Sequence, residues 1–297
     1  MKKWILATRP WSFPASMMPA LLALAYVFYL LHTGDSMEVN PFNGLMALIG
    51  VVIFQAAGNL ISDYYDFQFG VDRKGTYGSS QLIVEGIFTS RTILKFGFGL
   101  LLAGILVGLY LCLKTDFILL FIGLFGVIGT LFYYRFKYHA LGDLVIFVLY
   151  GMLIALGTMY VVTGRMEWQL LFASLPVGLL VVNILQANNT RDIENDRKAG
   201  ITTLAMRLGI TASKVLYQVI GISAYLITVL LIIGGILPYH CLIIFLSLPI
   251  LIRNMTQIRK IASGHLELIK DLDKDSAKLV MVFSLLLIMG IISAIYV

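Results

Sequence analysis

The chain has 297 residues, of which 59% are hydrophobic and 13% are charged, and its mean hydropathy is +0.91. Soluble domains carry about 25% charged residues, so this composition excludes an ordinary soluble enzyme. The net charge of +6 is spread over short turns between apolar runs, which argues against a nucleic-acid partner. We therefore predict a single all-α integral membrane domain spanning residues 1–297.

Nine apolar runs, each about 20 residues long, are long enough to cross a bilayer as helices. The sequence predicts them at residues 14–33, 42–62, 92–113, 116–134, 141–163, 168–189, 212–234, 237–256 and 277–296. Pro10, Pro14 and Pro19 precede or interrupt the first run, and no small-residue cleavage site follows it. We therefore interpret this run as a membrane span and not as a signal peptide.

The basic residues predict how the spans are oriented. With nine spans, one side of the membrane receives all but two of the 22 Lys and Arg residues, and only Lys114 and Arg165 fall on the other. By the positive-inside rule the basic side is cytoplasmic. We expect a multi-pass protein of the cytoplasmic membrane with its amino terminus inside and its carboxyl terminus outside. Cys112 and Cys241 both fall near the predicted outer surface, so two buried thiols and a disulfide remain alternatives at this point.

The cytoplasmic end of the second span carries a stripe of polar side chains. Asn59, Asp63 and Asp66 are spaced i, i+4, i+7, so a helix places them on one face, and Asp72 follows one turn later. The helix dipole opposes carboxylates at a carboxyl end by about 0.3 to 1 kcal/mol each, and like charges also repel one another. A bound divalent cation removes both penalties.

The sixth span ends in a matching stripe, where Asn188, Asp192 and Asp196 follow i, i+4, i+8 spacing on what we predict to be one helix. Magnesium commonly takes one or two protein carboxylates and completes its octahedron with water and phosphate oxygens. Two facing stripes are therefore suited to binding a magnesium–diphosphate. The alternative is that these carboxylates simply reach from helix ends to water.

A diphosphate bound at the mouth of an apolar helix bundle indicates a prenyl diphosphate as substrate. Magnesium would neutralise charge on the leaving diphosphate, and nearby cations would share that task. The candidate cations are Arg73, Lys74, Arg135, Lys137, Arg191 and Lys198. An allylic cation would also be stabilised over aromatic faces. The aromatic candidates are Tyr64, Tyr65, Phe67, Tyr133 and Tyr134.

The two acidic motifs, NLISDYYDFQFGVD and NNTRDIENDRKAGITTLAMRLG, resemble those of the UbiA superfamily of membrane prenyltransferases. Together with TRPWSFPASMMPALLA at 8–23 and YHALGD at 138–143, they resemble in particular the branch that prenylates 1,4-dihydroxy-2-naphthoate in menaquinone synthesis. The resemblance implies nine transmembrane helices in a ring around a central cavity, with both motifs at its cytoplasmic mouth. It also implies magnesium dependence and transfer of a polyprenyl chain to the ring carbon that bears the carboxylate, with loss of carbon dioxide, to give demethylmenaquinone.

The resemblance also implies roles for individual residues. Those expected to hold the metal–diphosphate, with the four aspartates as catalytic residues, are Asn59, Asp63, Asp66, Asp192 and Asp196. Asn188 and Asp72 are expected to support the diphosphate beside the cations named above. We expect Arg9, in the amino-terminal Arg-Pro element, and Tyr138 to face the aromatic acceptor.

Some positions depart from the family pattern, and rival functions remain. Ser62 stands where the family often has Asn, and the segments SSQLIVEG and FYYRFKYH differ from their usual forms, so the cation that holds the diphosphate is left open. Another acceptor, such as 4-hydroxybenzoate, would use the same metal site. An ion-coupled transporter also carries intramembrane acids, but near the bilayer midplane and not at helix ends. Beyond its substrates and the lipid bilayer we expect no obligate partner.

Overall fold

A computed structural model of the protein describes residues 2–76, 79–261 and 269–296. Within these ranges nine helical segments are long and apolar enough to cross a membrane, which confirms the predicted all-α, multi-pass architecture. The α-helices are α1 (Lys2–Ala7), α2 (Pro14–His32), α3 (Pro41–Gln68), α4 (Ser90–Lys114), α5 (Ile118–Tyr138), α6 (Gly142–Val148), α7 (Ile154–Thr163), α8 (Trp168–Arg191), α9 (Ile193–Lys198), α10 (Leu204–Ile233), α11 (Leu248–Arg259) and α12 (Leu272–Ser293).

Three shorter elements complete the spans. A 3-10 turn at Pro10–Ser12 precedes α2, a π-helical turn at Leu149–Leu153 joins α6 to α7, and a 3-10 segment at Tyr239–Ser247 precedes α11. The nine spans are therefore α2, α3, α4, α5, α6 with α7, α8, α10, the Tyr239–Ser247 segment with α11, and α12.

Several helices extend beyond their apolar runs. Helix α3 continues to Gln68, so the carboxylates of the first motif lie within the helix. Helix α10 begins at Leu204, eight residues before the predicted start, and changes direction at Gly209, where φ is 76°. Helix α12 begins at Leu272 and not at 277. Hydropathy locates the part of a helix that meets lipid, whereas these polar ends pack against other parts of the protein.

The prediction of one continuous helix through the second acidic stripe is wrong. Helix α8 ends at Arg191, Asp192 has φ −94° and ψ 5°, and a separate short helix, α9, begins at Ile193. The amide of Asp196 still donates to the carbonyl of Asp192 at 2.8 Å, so the two acidic side chains remain one turn apart. The break therefore redirects the chain without separating the carboxylates.

The helices close into a ring because the first span packs against the last. Helix α2 contacts α12, and α8 contacts both α10 and α12, while α4 packs on α3 and presents much of its surface outward. Helix α8 is the most buried span among those described. It crosses the π-helical turn so closely that a Cβ on Gly178 would lie 2.2 Å from the Cα of Gly151.

Both cysteines are free thiols within the described residues, so the disulfide alternative is wrong. Cys241 is buried in the Tyr239–Ser247 segment, where its backbone packs on α12 so tightly that a Cβ on Gly290 would lie 2.6 Å from its Cα. Cys112 is half-buried near the end of α4. Close packing against α12 therefore explains why a small buried side chain such as that of Cys241 occupies this position.

Candidate active site

The two acidic motifs meet across one polar cavity of about 70 Å³. The end of α3 and the following turn contribute Asp66 and Asp72 to its wall, and the α8–α9 junction contributes Asp192 and Asp196. A bridge between His139 and Thr202 joins the loops beside the cavity. The structure therefore brings together two segments at least 120 residues apart in sequence, as the resemblance implied.

Asp63 is held by the amino-terminal segment. Its carboxylate accepts hydrogen bonds from the Arg9 guanidinium and, at 2.8 Å, from the hydroxyl of Ser80. Arg9 adopts a left-handed backbone conformation, with φ 54°, between α1 and the 3-10 turn. Burial lowers the pKa of Arg9, although the charges of Asp72 and Asp66 oppose this shift. Arg9 thus brings a largely buried positive charge to the first motif.

Asp66 is held from the end of α5. The hydroxyl of Tyr138 donates to its carboxylate at 2.6 Å, and Lys137 Nζ lies 3.2 Å from it. Ser62, one turn earlier on α3, donates a weaker bond at 3.3 Å. Position 62, where the family pattern often has Asn, is therefore occupied by a hydroxyl that contacts Asp66, one helical turn further along.

Arg191 links the second motif to the last span. Its guanidinium forms a double hydrogen bond with Asp192, at 2.9 and 2.8 Å, and lies 3.2 Å from Asp273 on α12. It also donates to the Oδ1 atom of Asn188 at 2.6 Å. The arginine is 3% exposed, and burial of this kind requires compensating charge. Arg191 is therefore held by carboxylates from two different spans.

Asp196 differs from the other three aspartates of the motifs. It is 1% exposed, it lines the cavity, and neither side-chain oxygen has a hydrogen-bond partner within the described residues. Burial raises the pKa of Asp196 to about 7, and burial together with the charge of Asp66 raises that of Asp72 to about 6. Buried polar atoms without partners are rare, and here they belong to a residue that lines a cavity with three other carboxylates.

The donor set is suited to a divalent cation, although the described residues contain no group of three acidic, His or Cys side chains already converged on one point. Oxygen ligands on both walls and the unpartnered oxygens of Asp196 match the preference of magnesium. Asn59 offers a further oxygen beside this cavity, although it is not among the residues that line it. Its amide nitrogen donates to the carbonyl of Thr8 at 2.8 Å and to the hydroxyl of Ser12 at 2.9 Å, so its Oδ1 atom is left for another contact.

The structure does not place all the predicted cations at the cavity. Lys74 and Lys198 are exposed and are not among its walls. Arg135 is also exposed and lies over the rings of Phe132 and Tyr134. These three cations therefore lie outside the wall of the acidic cavity.

Two other predicted residues lie beside the carboxylates but outside the cavity walls. Arg73 donates to the carbonyl of Gly70 at 3.1 Å and to Asn195 at 3.2 Å, so it joins the first motif to α9. Tyr138 was expected to contact the aromatic acceptor. Its hydroxyl instead contacts Asp66, and Tyr138 does not line the second chamber that is described below. Of the six predicted diphosphate cations, Lys137 lines the polar cavity in the described part of the chain, and Arg9, which was predicted to face the acceptor, lines it as well.

A second chamber of about 160 Å³, which we call the junction chamber, adjoins the acidic cavity. The residues that line both are Arg9, Ser62, Tyr133, Leu185 and Asn188. A third cavity of about 440 Å³, the apolar cavity, lies between α3, α4, α5 and α7. The residues that line both it and the junction chamber are Phe54, Gln55, Thr130, Leu149 and Tyr150. The three spaces therefore form one series from charged to apolar.

The aromatic candidates occupy different places. Tyr133 lines both the acidic cavity and the junction chamber. Tyr65 and Tyr134 stack on one another, with ring centroids 3.7 Å apart, and Tyr64 meets the edge of Tyr65. Phe67 packs in a separate cluster with residues of α4. Of the five, Tyr133 alone lines one of these three cavities in the described part of the chain.

Sequence reasoning assigned no role to several polar side chains of the junction chamber, among them Gln55, Tyr150 and Asp273. Asp273 lies in a mixed-charge segment that we expected to be a solvated turn, yet it is 6% exposed in the first turn of α12. The sequence did contain a signal for Gln55, because it is a polar residue inside an apolar span and stands at the start of the first motif. Tyr150 carried no signal among the chain's 15 tyrosines.

Comparison with known proteins decides the family. The model of the UbiA prenyltransferase family matches residues 16–264. The chain belongs to the UbiA prenyltransferase family. The match extends through the eighth span, beyond the motifs on which the resemblance rested.

Curated UbiA relatives support the assignment. The chain is 34% identical over 304 residues to UbiA prenyltransferase domain-containing protein 1 of Rattus norvegicus, covering 98% of this chain and 83% of the relative. It is 35% identical over 233 residues to the Drosophila melanogaster homolog of that protein, covering 76% of this chain. That match spans 63% of the fly protein's length.

Solved UbiA structures share the fold at low sequence identity. The apo structure of a UbiA homolog from Aeropyrum pernix K1 has a TM-score of 0.68 and 17% identity, with 96% of each chain covered. A UbiA homolog from Archaeoglobus fulgidus bound to DMAPP and Mg²⁺ has a TM-score of 0.54 and 14% identity, covering 96% of this chain and 99% of that one. These similarities confirm the UbiA fold.

Proposed function

We propose that this UbiA prenyltransferase uses magnesium to transfer a polyprenyl chain from prenyl diphosphate to 1,4-dihydroxy-2-naphthoate. The aromatic acid would lose carbon dioxide, pyrophosphate would leave, and the product would be demethylmenaquinone in its quinol form. The whole chain, residues 1–297, would act as one catalytic domain. The single observation that carries the proposal is the series of three cavities, from the acidic cavity through the junction chamber to the apolar cavity.

This series matches the shape and polarity of a prenyl diphosphate. Carboxylates and two cations line the acidic cavity, while the apolar cavity is bordered by aliphatic and aromatic side chains with several glycines. The diphosphate group would occupy the first space and the tail the third. The carbon that bonds the two parts would then lie in the junction chamber.

The metal would be held by Asn59, Asp63, Asp66, Asp192 and Asp196, with Asn188 and Asp72 in support. The oxygen atoms available on both walls favour magnesium, and the archaeal homolog with DMAPP and Mg²⁺ is consistent with that choice. When bound, magnesium supplies charge neutralisation for the leaving diphosphate. Its binding requires Arg9, Lys137 and Arg191 to share or release the carboxylates that they now contact.

The protein's own residues would bind and orient the substrates. Lys137 would transfer part of its contact from the Asp66 carboxylate to the phosphate oxygens. Tyr133 would present its aromatic face to positive charge developing on the allylic carbon. The apolar walls would exclude water, so that the electron-rich ring of the acceptor and not water attacks that carbon.

The naphthoate branch is proposed from the motifs of this chain. The run Asn-Asn-x-Arg-Asp at residues 188–192 and the YHALGD segment support it. Arg9 supports an acidic acceptor, because its side chain lines the junction chamber as well as the acidic cavity. The names of the curated relatives refer to the UbiA domain and do not specify an acceptor.

We also propose the cytoplasmic membrane as the location. The basic residues concentrate in the turns at the motif end of the molecule, and the positive-inside rule then places both motifs and the amino terminus in the cytoplasm. The carboxyl terminus would lie outside. A water-soluble diphosphate group would therefore meet the acidic cavity from the cytoplasm, and its tail would remain at membrane depth.

The test is to identify the product. Purified protein is incubated with magnesium, a prenyl diphosphate and an equimolar mixture of 1,4-dihydroxy-2-naphthoate and 4-hydroxybenzoate, and products are identified by mass. We expect a prenylated naphthoquinol that has lost the carboxyl group. Prenylation of 4-hydroxybenzoate alone would contradict the branch, and pyrophosphate release without any aromatic product would contradict aromatic prenylation.

A further inference from the structure

Two hydrogen-bonded side chains, Gln55 on α3 and Tyr150 on the π-helical turn, lie where the junction chamber meets the apolar cavity. They have no role in the metal–diphosphate site described above. We propose that Gln55 and Tyr150 bind the phenolic hydroxyl of the aromatic acceptor and thereby select hydroxylated rings. The inference rests on the proposed function, since it requires an aromatic acceptor in the junction chamber.

The position of the pair follows from the series of cavities. Bond formation requires the acceptor carbon to approach the allylic carbon to about 3–3.5 Å. The allylic carbon belongs where the charged and apolar spaces meet, which is the junction chamber. An acceptor ring in this chamber therefore lies beside the residues of its wall, including Gln55 and Tyr150.

The pair offers both functions that a phenolic hydroxyl needs. The Tyr150 hydroxyl donates to Gln55 Oε1 at 2.6 Å, and Gln55 Nε2 donates to the hydroxyl of Ser12 at 3.3 Å. This arrangement leaves the second N–H of Gln55 and the acceptor lone pairs of the Tyr150 oxygen. A hydroxyl group on the ring can accept from the first and donate to the second.

The backbone holds Tyr150 in one place. It lies in the π-helical turn Leu149–Leu153, and such turns within α-helices are frequent at functional sites. The hydroxyl of Ser174 on α8 donates to the carbonyl of Gly151 at 2.6 Å, and Gly178 leaves room for the turn to approach α8. The side chain that carries the hydroxyl is therefore anchored by a neighbouring span.

The rest of the chamber suits a flat aromatic acid. Arg9 supplies a cation for a carboxylate at the side nearest the acidic cavity, and the rings of Trp11 and Tyr133 also line the wall. The Gln55–Tyr150 pair lies at the other side, next to the apolar cavity. An acceptor that carries both a carboxylate and a ring hydroxyl would thus be recognised at two points.

The test compares the wild-type protein with Tyr150→Phe and Gln55→Leu. Steady-state assays give the KM for 1,4-dihydroxy-2-naphthoate and for the prenyl diphosphate, and competition gives the Kd of the naphthoate and of its 1,4-dimethyl ether. We expect Tyr150→Phe to raise the acceptor KM by about tenfold, as for one lost hydrogen bond, and to leave the donor KM within about twofold. The preference for the hydroxyl compound over the ether should fall by a similar factor.

Tyr160→Phe is the matched control, because Tyr160 is on α7 of the same span and lines none of the three cavities in the described part of the chain. We expect it to retain the wild-type preference. If Tyr150→Phe and Gln55→Leu both keep the wild-type ratio of Kd values, or raise the donor KM as much as the acceptor KM, the inference is overturned. Failure of the wild-type protein to prenylate any aromatic acid would instead overturn the proposed function.

Discussion

Individual residues in and beside the wall of the acidic cavity show how buried charge is stabilised before substrate binds. Three of the four motif aspartates contact a cation, and the pairs are Arg9–Asp63, Lys137–Asp66 and Arg191–Asp192. Asp196 has no hydrogen-bond partner among the described residues. A buried charge without a partner opposes folding. Asp196 is therefore the motif residue that should destabilise the protein most while being needed for its activity.

Replacing Asp196 separates stability from activity. Asp196→Asn keeps the shape of the side chain and removes a charge that burial disfavours, so we predict an unchanged or higher Tm. Turnover should fall by more than about 100-fold, because even removing a side chain that only orients a metal ligand costs about 10- to 100-fold. Thermal unfolding and pyrophosphate release measure the two effects. The control is Asp271→Asn, because Asp271 is an exposed carboxylate paired with Lys274 at 2.8 Å, and this variant should keep the wild-type Tm and turnover. Wild-type turnover in Asp196→Asn would contradict the assignment of Asp196 to the metal site.

The raised pKa values predict a pH dependence of magnesium binding. Asp196 has a pKa of about 7 and Asp72 of about 6, so each is protonated at lower pH and a cation must displace the proton. The magnesium concentration for half-maximal activity should fall as pH rises from about 5.5 to about 7.5, by up to tenfold per unit for each proton displaced, and then level off. Magnesium titrations of activity at fixed pH test this. A half-saturating concentration that does not change with pH would count against these carboxylates as ligands.

Among the elements, α12 is the helix whose role differs most from its sequence pattern. Its first turn carries Asp273, which lines the junction chamber and lies 3.2 Å from Arg191 at the end of α8. Arg191 in turn binds Asp192. The last span therefore closes the ring and also supports the second acidic motif.

Removing the charge of Asp273 should loosen that motif. Asp273→Asn leaves the buried Arg191 with one carboxylate fewer, and breaking a buried ion pair costs about 3 kcal/mol or more. We predict a lower Tm together with a higher magnesium requirement, and partial recovery of the magnesium requirement in Asp273→Glu. Asp275→Asn, on the same helix but 3.7 Å from the exposed Arg253, is the matched control and should change neither property. Equal behaviour of the two variants would show that α12 does not support the site.

The sequence predicted the elements that repeat a simple pattern. Nine apolar runs identified nine spans, and the spacing of Asn59, Asp63 and Asp66 placed them correctly on one helix. The break at Asp192 and the early start of α12 at Leu272 could not be read in this way, since both depend on contacts with distant segments. The contact between Arg9 and Asp63 was also missed, because it joins residues 54 positions apart through a left-handed backbone turn.

At the scale of the whole molecule, the cavities divide the bundle into a charged end and an apolar interior. The apolar cavity extends past glycines of α4 and α5 towards Cys112 and Leu119, near the end opposite the acidic motifs. A chain lying in it would contact side chains over much of the membrane thickness. The size of this cavity should therefore limit which donors the enzyme accepts.

Filling the apolar cavity should select for short donors. Gly108 on α4 lines the cavity, and a Cβ built there meets no heavy atom within 4 Å among the described residues. We predict that Gly108→Leu lowers kcat/KM for long prenyl diphosphates by about tenfold or more and leaves that for geranyl diphosphate nearly unchanged, since a methylene group in an apolar site is worth about 1–3 kcal/mol. Gly99→Leu, on an exposed part of the same helix, should leave both values unchanged. An equal loss for all donors would contradict this place for the tail.

The central claim is that two acidic motifs from separate spans bind one magnesium–diphosphate, and ligand binding tests it most directly. Calorimetric titration of a slowly reacting geranyl thiolodiphosphate into purified protein can be carried out with magnesium and with a chelator, for the wild type, Asp66→Asn and Asp196→Asn. The account predicts binding that requires magnesium in the wild type and is weakened by more than about 100-fold in either variant. Wild-type affinity in either variant, or binding unaffected by the chelator, would contradict it.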